Sequence, residues 1–146
     1  MIILDTDCLS LLERKSGAEF YRLSEKLSSF PPDEIVTTII TFEEQMRGWM
    51  AFLAKANTIE KQISAYGKLG RFLENYRYIP TLQFDEKAGK VFQQLKSQKI
   101  KVGTMDLKIA SITIAQKSLL ISRNLSDYDK IPNLRVEDWT KESYSN

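Results

Sequence analysis

The chain contains no histidine and only one cysteine, and each scarcity removes a class of chemistry. Without an imidazole there is no Ser–His–Asp triad, no Cys–His pair and no histidine metal ligand. The lone Cys8 cannot form an internal disulfide or a cysteine zinc site, and it suits a reducing compartment. An enzyme of this composition has to work with carboxylates, lysine, tyrosine or a bound hard cation.

Long apolar runs are also missing. No stretch approaches the roughly 20 residues that span a bilayer, and the N-terminus lacks the basic start and apolar core of a signal peptide. Both absences predict a cytoplasmic protein with no membrane association. With 146 residues, 42% of them hydrophobic and 27% charged, the chain is expected to form one domain over residues 1–146. The last few residues, KESYSN, are expected to be a flexible tail.

Short β-branched or apolar segments alternate with segments of helical periodicity along the chain. Strands are predicted at MIIL, EIVTTII, YIPTLQF, SLLIS and LRVEDW. The third should lie at a sheet edge because it contains Pro80. Among the helices between them, one is predicted to be capped by Asp85 and another by Thr104. This α/β alternation predicts a central parallel sheet between helices, with functional sites beyond the carboxyl ends of the strands.

Carboxylates follow several of these predicted strands. Asp5 comes directly after the first strand, Glu44 after the second, and Asp127 and Asp129, with Asn124, after the fourth, while Asp106 lies in the first turn of an apolar helix. Four converging carboxylates repel one another unless a cation neutralises them. All-oxygen ligands suit Mg²⁺ or Mn²⁺, and such a site activates water for phosphodiester hydrolysis. The pattern therefore indicates a metal-dependent nuclease.

Local structure offers a competing explanation for some of these acids. Asp5 is also a suitable helix N-cap, and Thr41-x-x-Glu44 has the form of a capping box. Asp127 lies in a segment rich in the Asx residues that favour turns. Each acid is weak support for a site by itself, and the set of four carries the prediction.

Four segments of the chain resemble, in order, the signature blocks of PIN-domain ribonucleases, above all the VapC-type toxins of bacterial toxin–antitoxin pairs. They are MIILDTDCLSLL, IITFEEQMRG, GTMDLKIASITIA and ISRNLSDYDKIPNLRVEDW. The resemblance runs from the first residue to about Trp139 and implies a three-layer α/β/α PIN-like domain. It selects Glu44 over Glu43, because the family's second acid lies four residues before a glycine, here Gly48. Tyr128 stands where the family usually has phenylalanine.

This resemblance implies RNA cleavage with Mg²⁺ or Mn²⁺. Asp5 and Asp106 would hold the main cation, while Glu44 and Asp127 complete its shell or position water. Further polar residues would support the site; these are Thr6, Asp7 and Asn124. The resemblance also implies a homodimer and a small cognate antitoxin that inserts a segment near the active site.

The middle of the chain is basic, with ten basic and four acidic side chains over residues 51–101. Contact with RNA phosphates and a solvated helical face are both compatible with this excess. The candidate RNA-binding residues are Lys68, Arg71, Tyr76 and Arg77.

Two other functions are compatible with some of the same residues. An apolar strand followed by Asp-x-Asp also opens haloacid-dehalogenase-like phosphatases, in which Asp5 would be the nucleophile and Asp7 the general acid. The later SDYD segment is a poor match for the second acid pair of that class. A non-catalytic RNA- or protein-binding module is the third hypothesis, and it gives no reason to retain four mutually repelling carboxylates.

Overall fold

The computed structural model describes residues 1–142 and is built on a five-stranded sheet in which every pairing is parallel. The strand order is β3-β2-β1-β4-β5. The strands are β1 (Ile2–Leu4), β2 (Ile35–Thr38), β3 (Thr81–Leu82), β4 (Leu119–Ile121) and β5 (Arg135–Glu137). The predicted edge position of the proline-containing strand is confirmed, since β3 is outermost. Most of the predicted tail, residues 141–146, lies outside the described residues.

Seven α-helices cover the sheet within residues 1–142. They are α1 (Thr6–Arg14), α2 (Ala18–Leu27), α3 (Ile39–Ala54), α4 (Ile59–Asn75), α5 (Glu86–Ser97), α6 (Thr104–Ala115) and α7 (Leu125–Tyr128). A single 3₁₀ turn, Pro32–Glu34, precedes β2. The short α7 has no counterpart among the predicted helices.

Helix starts show where the sequence prediction was right and where it was wrong. Asp85 caps α5 as predicted, accepting the Ala88 N–H at 3.0 Å. The predicted Thr104 cap is wrong, because Thr104 is already the first residue of α6 and no side chain caps that helix. The Gly103 carbonyl instead accepts the Leu107 N–H at 2.9 Å. The helix therefore begins one residue earlier than predicted.

Alternate residues of the central strands enter two separate cores. Ile3 belongs to the core formed with α5 and α6, whereas Ile2 and Leu4 belong to the core formed with α1 and α2. This alternation follows from the period of two along a strand. Because both sheet faces are covered by helices, the predicted three-layer α/β/α architecture with a central parallel sheet is confirmed. Within residues 1–142 no helix combines the length and apolar character needed to cross a membrane.

Candidate active site

Asp5 lies at the carboxyl end of β1, and only 5% of it is exposed. One carboxylate oxygen accepts the Cys8 N–H at 2.8 Å and thereby caps α1. Burial raises the pKa of Asp5 to about 6, although a hydrogen bond from the Ser122 hydroxyl opposes this rise. Ser122 directly follows β4 as Asp5 directly follows β1, and the two residues are neighbours because Leu4 pairs with Ile121. The structure thus makes Asp5 both a helix cap and a buried acid at the sheet edge.

Glu44 is directed towards the start of α1. Its Oε1 accepts a hydrogen bond of 2.6 Å from the hydroxyl of Thr6, which also lies 3.1 Å from the Thr41 hydroxyl. The capping-box explanation is wrong, because Thr38 is the N-cap of α3 and accepts the Thr41 N–H at 3.1 Å. Glu44 therefore contacts the residue next to Asp5 instead of its own helix terminus.

Asp106 lies in the first turn of α6 and is partly buried. Burial and the neighbouring charge of Asp127 raise its pKa, while a hydrogen bond from Tyr128 lowers it. That bond runs from the Tyr128 hydroxyl to Asp106 Oδ1 over 3.2 Å. Burial and the charges of Asp106, Asp5 and Glu44 raise the Tyr128 pKa. The phenol consequently stays protonated and acts as a donor.

Asp127 lies in α7 and is partly exposed. It accepts hydrogen bonds from Asn124 Nδ2 at 3.0 Å and from Lys130 Nζ at 3.4 Å. These bonds lower the pKa of Asp127, with the Asn124 contribution the larger. The Asn124 N–H in turn donates to Ser122 Oγ at 2.9 Å. Ser122 therefore links the buried Asp5 to the segment that leads into α7, the helix of Asp127.

Asp7, unlike the four acids, is held in an ion pair with an arginine. Arg123 donates to both of its carboxylate oxygens at 2.6 Å and also pairs with Glu19 of α2. The Arg123 bonds lower the pKa of Asp7, which remains ionised. A phosphatase would need Asp7 as a proton donor, so this arrangement does not support the haloacid-dehalogenase-like hypothesis.

Each of the four acids thus accepts a hydrogen bond from a hydroxyl, side-chain amide or backbone N–H donor near the carboxyl end of the sheet. Their donor set is entirely oxygen, which matches the preference of Mg²⁺ and Mn²⁺. In the described part of the chain, no basic side chain forms an ion pair with Asp5, Glu44 or Asp106. Over the same residues, no three acidic side chains are already gathered as a closed metal-binding group. The oxygen donors of the four acids are of the chemical type that a hard divalent cation prefers.

The candidate RNA-binding residues lie on or just after α4 and make none of the hydrogen bonds or ion pairs described for the four acids. Lys68 and Arg71 line a groove of about 960 Å³ between α1, α3 and α4. The Tyr76 hydroxyl donates to Gln45 at 2.7 Å, and Arg77 pairs with Glu74 at 3.2 Å. Tyr76 and Arg77 are therefore engaged within the chain.

Sequence reasoning missed Ser122, Arg123 and the role of the Tyr128 hydroxyl. Ser122 could have been found from the sequence, because it lies at the carboxyl end of the fourth predicted strand, just as Asp5 lies at the carboxyl end of the first. The pairing of Arg123 with Asp7 spans 116 positions and has no local signal.

No protein-family model matches this chain. Among curated proteins, Ribonuclease VapC1 from Haemophilus influenzae strain R2866 is 30% identical over 140 residues, covering 95% of this chain and 98% of that protein. The VapC1 of another strain of that species is 29% identical with the same coverage.

Solved structures show the same fold. VapBC2 from Rickettsia felis, bound to a DNA fragment from its promoter, matches with a TM-score of 0.71 and 26% identity over 95% of this chain and 99% of that chain. VapBC-1 from nontypeable Haemophilus influenzae matches with a TM-score of 0.70 and 24% identity over 97% and 100% of the two chains. The similarity in sequence and fold covers nearly the whole chain. This chain therefore belongs to the VapC ribonuclease family.

Proposed function

We propose that this chain is the ribonuclease toxin of a toxin–antitoxin pair and hydrolyses RNA phosphodiesters with a carboxylate-bound Mg²⁺ or Mn²⁺. The observation that carries the proposal is the set of four acids at one sheet edge, around the buried Asp5. The VapC ribonuclease relatives support the reaction class. We place the activity in the cytoplasm, where RNA is available and the buried thiol of Cys8 stays reduced.

In this proposal Asp5 and Asp106 hold the main cation, and Glu44 and Asp127 complete its shell or position water. A cation held by these acids would supply the chemistry of a nucleophilic water at neutral pH and of charge withdrawal from the scissile phosphate. The chain's own donors orient the ligands, because hydrogen bonds to a ligating carboxylate fix its direction. These donors are the Cys8 N–H and Ser122 for Asp5, Thr6 for Glu44, Tyr128 for Asp106 and Asn124 for Asp127.

Lys68 and Arg71 are the stronger candidates for RNA contact, because their side chains line the groove beside α1 and α3. Tyr76 and Arg77 are weaker candidates, since each already has a partner within the chain. The proposal assigns the single domain, residues 1–146, to this one activity.

The exposed face of α4 has the character of a protein-binding surface. Ile59, Ile63, Tyr66 and Leu73 share one side of this helix and are 58–66% exposed. An apolar stripe of this kind marks an interaction site on a soluble protein. The matched structures include toxin–antitoxin complexes such as the one from Klebsiella pneumoniae. We assign this face to the cognate antitoxin and expect the toxin itself to be a homodimer.

The proposed activity is tested by incubating purified, antitoxin-free protein with total bacterial RNA and Mg²⁺ or Mn²⁺. We expect discrete fragments that disappear when EDTA is added or when Asp106→Asn replaces the wild type. Asp129→Asn is the matched control, because Asp129 is an exposed acid close to Asp127 with no place in the proposed site. Cleavage that persists in EDTA and in Asp106→Asn would contradict metal-dependent hydrolysis. A folded wild type that cuts no RNA with either metal would contradict the ribonuclease function.

A further inference from the structure

Tyr128 combines a core ring with a hydroxyl at the acid cluster. Only 1% of the residue is exposed, and its ring packs in the core that contains Ile3 and Ile109. Its hydroxyl lies 3.2 Å from Asp106 Oδ1. Packing thus fixes the ring, and because the hydroxyl is rigidly attached to the ring, its position relative to Asp106 is fixed as well.

The contact joins two elements that carry different acids. Asp106 belongs to α6, while Tyr128 belongs to α7 and directly follows Asp127. A hydrogen bond from Tyr128 to Asp106 therefore fixes the first turn of α6 relative to the short helix of Asp127. It engages Oδ1, whereas Oδ2 accepts no hydrogen bond from another side chain within residues 1–142.

A phenol is well suited to this task because it is a neutral donor. A lysine in the same place would orient the carboxylate but would add a positive charge that repels a divalent cation. We therefore propose that the Tyr128 hydroxyl is a positioning group that orients Asp106 towards the divalent cation. This inference rests on the proposed metal-dependent function.

A purely structural role for the hydroxyl makes a different prediction. If it only satisfies its own hydrogen-bonding capacity, removing it lowers the melting temperature and leaves cation affinity unchanged. If it orients Asp106, removing it weakens cation binding, because lost partners of ligating groups typically cost 10–100-fold in metal affinity. Cation affinity separates the two roles.

The experiment is calorimetric titration of Mn²⁺ into the full, antitoxin-free chain. Tyr128→Phe removes the hydroxyl and keeps the ring, so the core remains filled. Tyr21→Phe is the matched control, because it removes an exposed phenol hydroxyl on α2, outside the acid cluster. Asp106→Asn reports whether Mn²⁺ binds at the proposed site at all.

We expect Tyr128→Phe to weaken Mn²⁺ binding about 10-fold, with Tyr21→Phe binding as the wild type does. RNA cleavage by Tyr128→Phe should fall at low Mn²⁺ and recover at high Mn²⁺, whereas that of Asp106→Asn should not recover. Unchanged affinity in Tyr128→Phe, with loss in Asp106→Asn, overturns the inference and leaves the proposed function intact. A wild type that binds no Mn²⁺ overturns the proposed metal dependence, and this inference falls with it.

Discussion

Asp5 is a carboxylate at the end of a buried strand, and its burial opposes its ionisation. Its pKa of about 6 in the fold compares with an ordinary value of 3.8. This difference corresponds to about 3 kcal/mol of unfavourable free energy for holding the charge at neutral pH. For the stability of the metal-free fold, an uncharged residue would therefore be better than aspartate at this position. A bound cation would stabilise the ionised carboxylate and offset this cost.

Replacing Asp5 with asparagine should stabilise the metal-free protein and abolish RNA cleavage. Asparagine caps helices as well as aspartate does and cannot ionise. Between about pH 4 and pH 6 the folded wild type binds more protons at Asp5 than the unfolded chain, so this group lowers the free energy of unfolding as pH rises. The advantage of Asp5→Asn should therefore be near zero at pH 4, reach about 1–3 kcal/mol at pH 7 and stay constant above it.

Urea unfolding in EDTA at several pH values measures this difference. Asp85→Asn makes the same change at the exposed cap of α5 and serves as the control for capping. An Asp5→Asn variant less stable than the wild type at pH 7 would show that the metal-free fold already compensates the buried charge.

At the scale of elements, Arg123 connects three parts of the chain. It lies in the loop between β4 and α7 and pairs with Asp7 of α1 and Glu19 of α2. The partly exposed ion pairs contribute only about 1 kcal/mol to folding, because solvent screens them. Their main effect is on position: the two hydrogen bonds from the guanidinium to Asp7 hold in place the segment that contains Asn124 and leads into α7, the helix of Asp127.

Arg123→Gln should loosen that loop with little loss of global stability. We expect faster hydrogen exchange over residues 122–130, a fall in unfolding free energy of about 1 kcal/mol and about 10-fold slower RNA cleavage. Arg47→Gln removes an exposed ion pair with Glu43 within α3 and is the matched control. Hydrogen exchange over 122–130 that equals the wild type would show that the loop is held without Arg123.

The sequence predicts these elements best where a single local signal decides them. The β-branched run before α3 identifies β2, but the position of the helix start depends on a choice between Thr38 and Thr41 as the cap. That choice is settled by tertiary contacts, in which Thr41 is buried beside the Thr6 hydroxyl. The sequence allows the four acids to be proposed together, because each follows a predicted strand or lies near a helix start, and their joint role in a metal site stays a prediction. It does not reveal their hydrogen-bond donors, because Thr6 and Glu44 are 38 positions apart in the chain.

At the scale of the whole molecule, α4 presents different chemistry on its two sides. Phe72 packs against Phe42 of α3 on the inner side, whereas the apolar stripe that contains Ile63 faces outwards. Burying that stripe in a complex would contribute roughly 25 cal/mol of favourable free energy per Å² of apolar surface, before the costs of association are subtracted. The assignment of this face to the antitoxin is therefore open to a direct test.

Ile63→Asp should weaken the complex with the cognate antitoxin at least 10-fold, about 1.4 kcal/mol, because it places a charge in the centre of the apolar stripe. The fold should be kept, since the Ile63 side chain is exposed. Ser64→Asp is the matched control, as it adds the same charge at the next exposed position of α4. Affinity is measured with the purified pair, and the native mass of the toxin alone is measured in parallel. If Ile63→Asp binds the antitoxin normally but loses the homodimer, the face belongs to a second copy of this chain and the assignment is wrong.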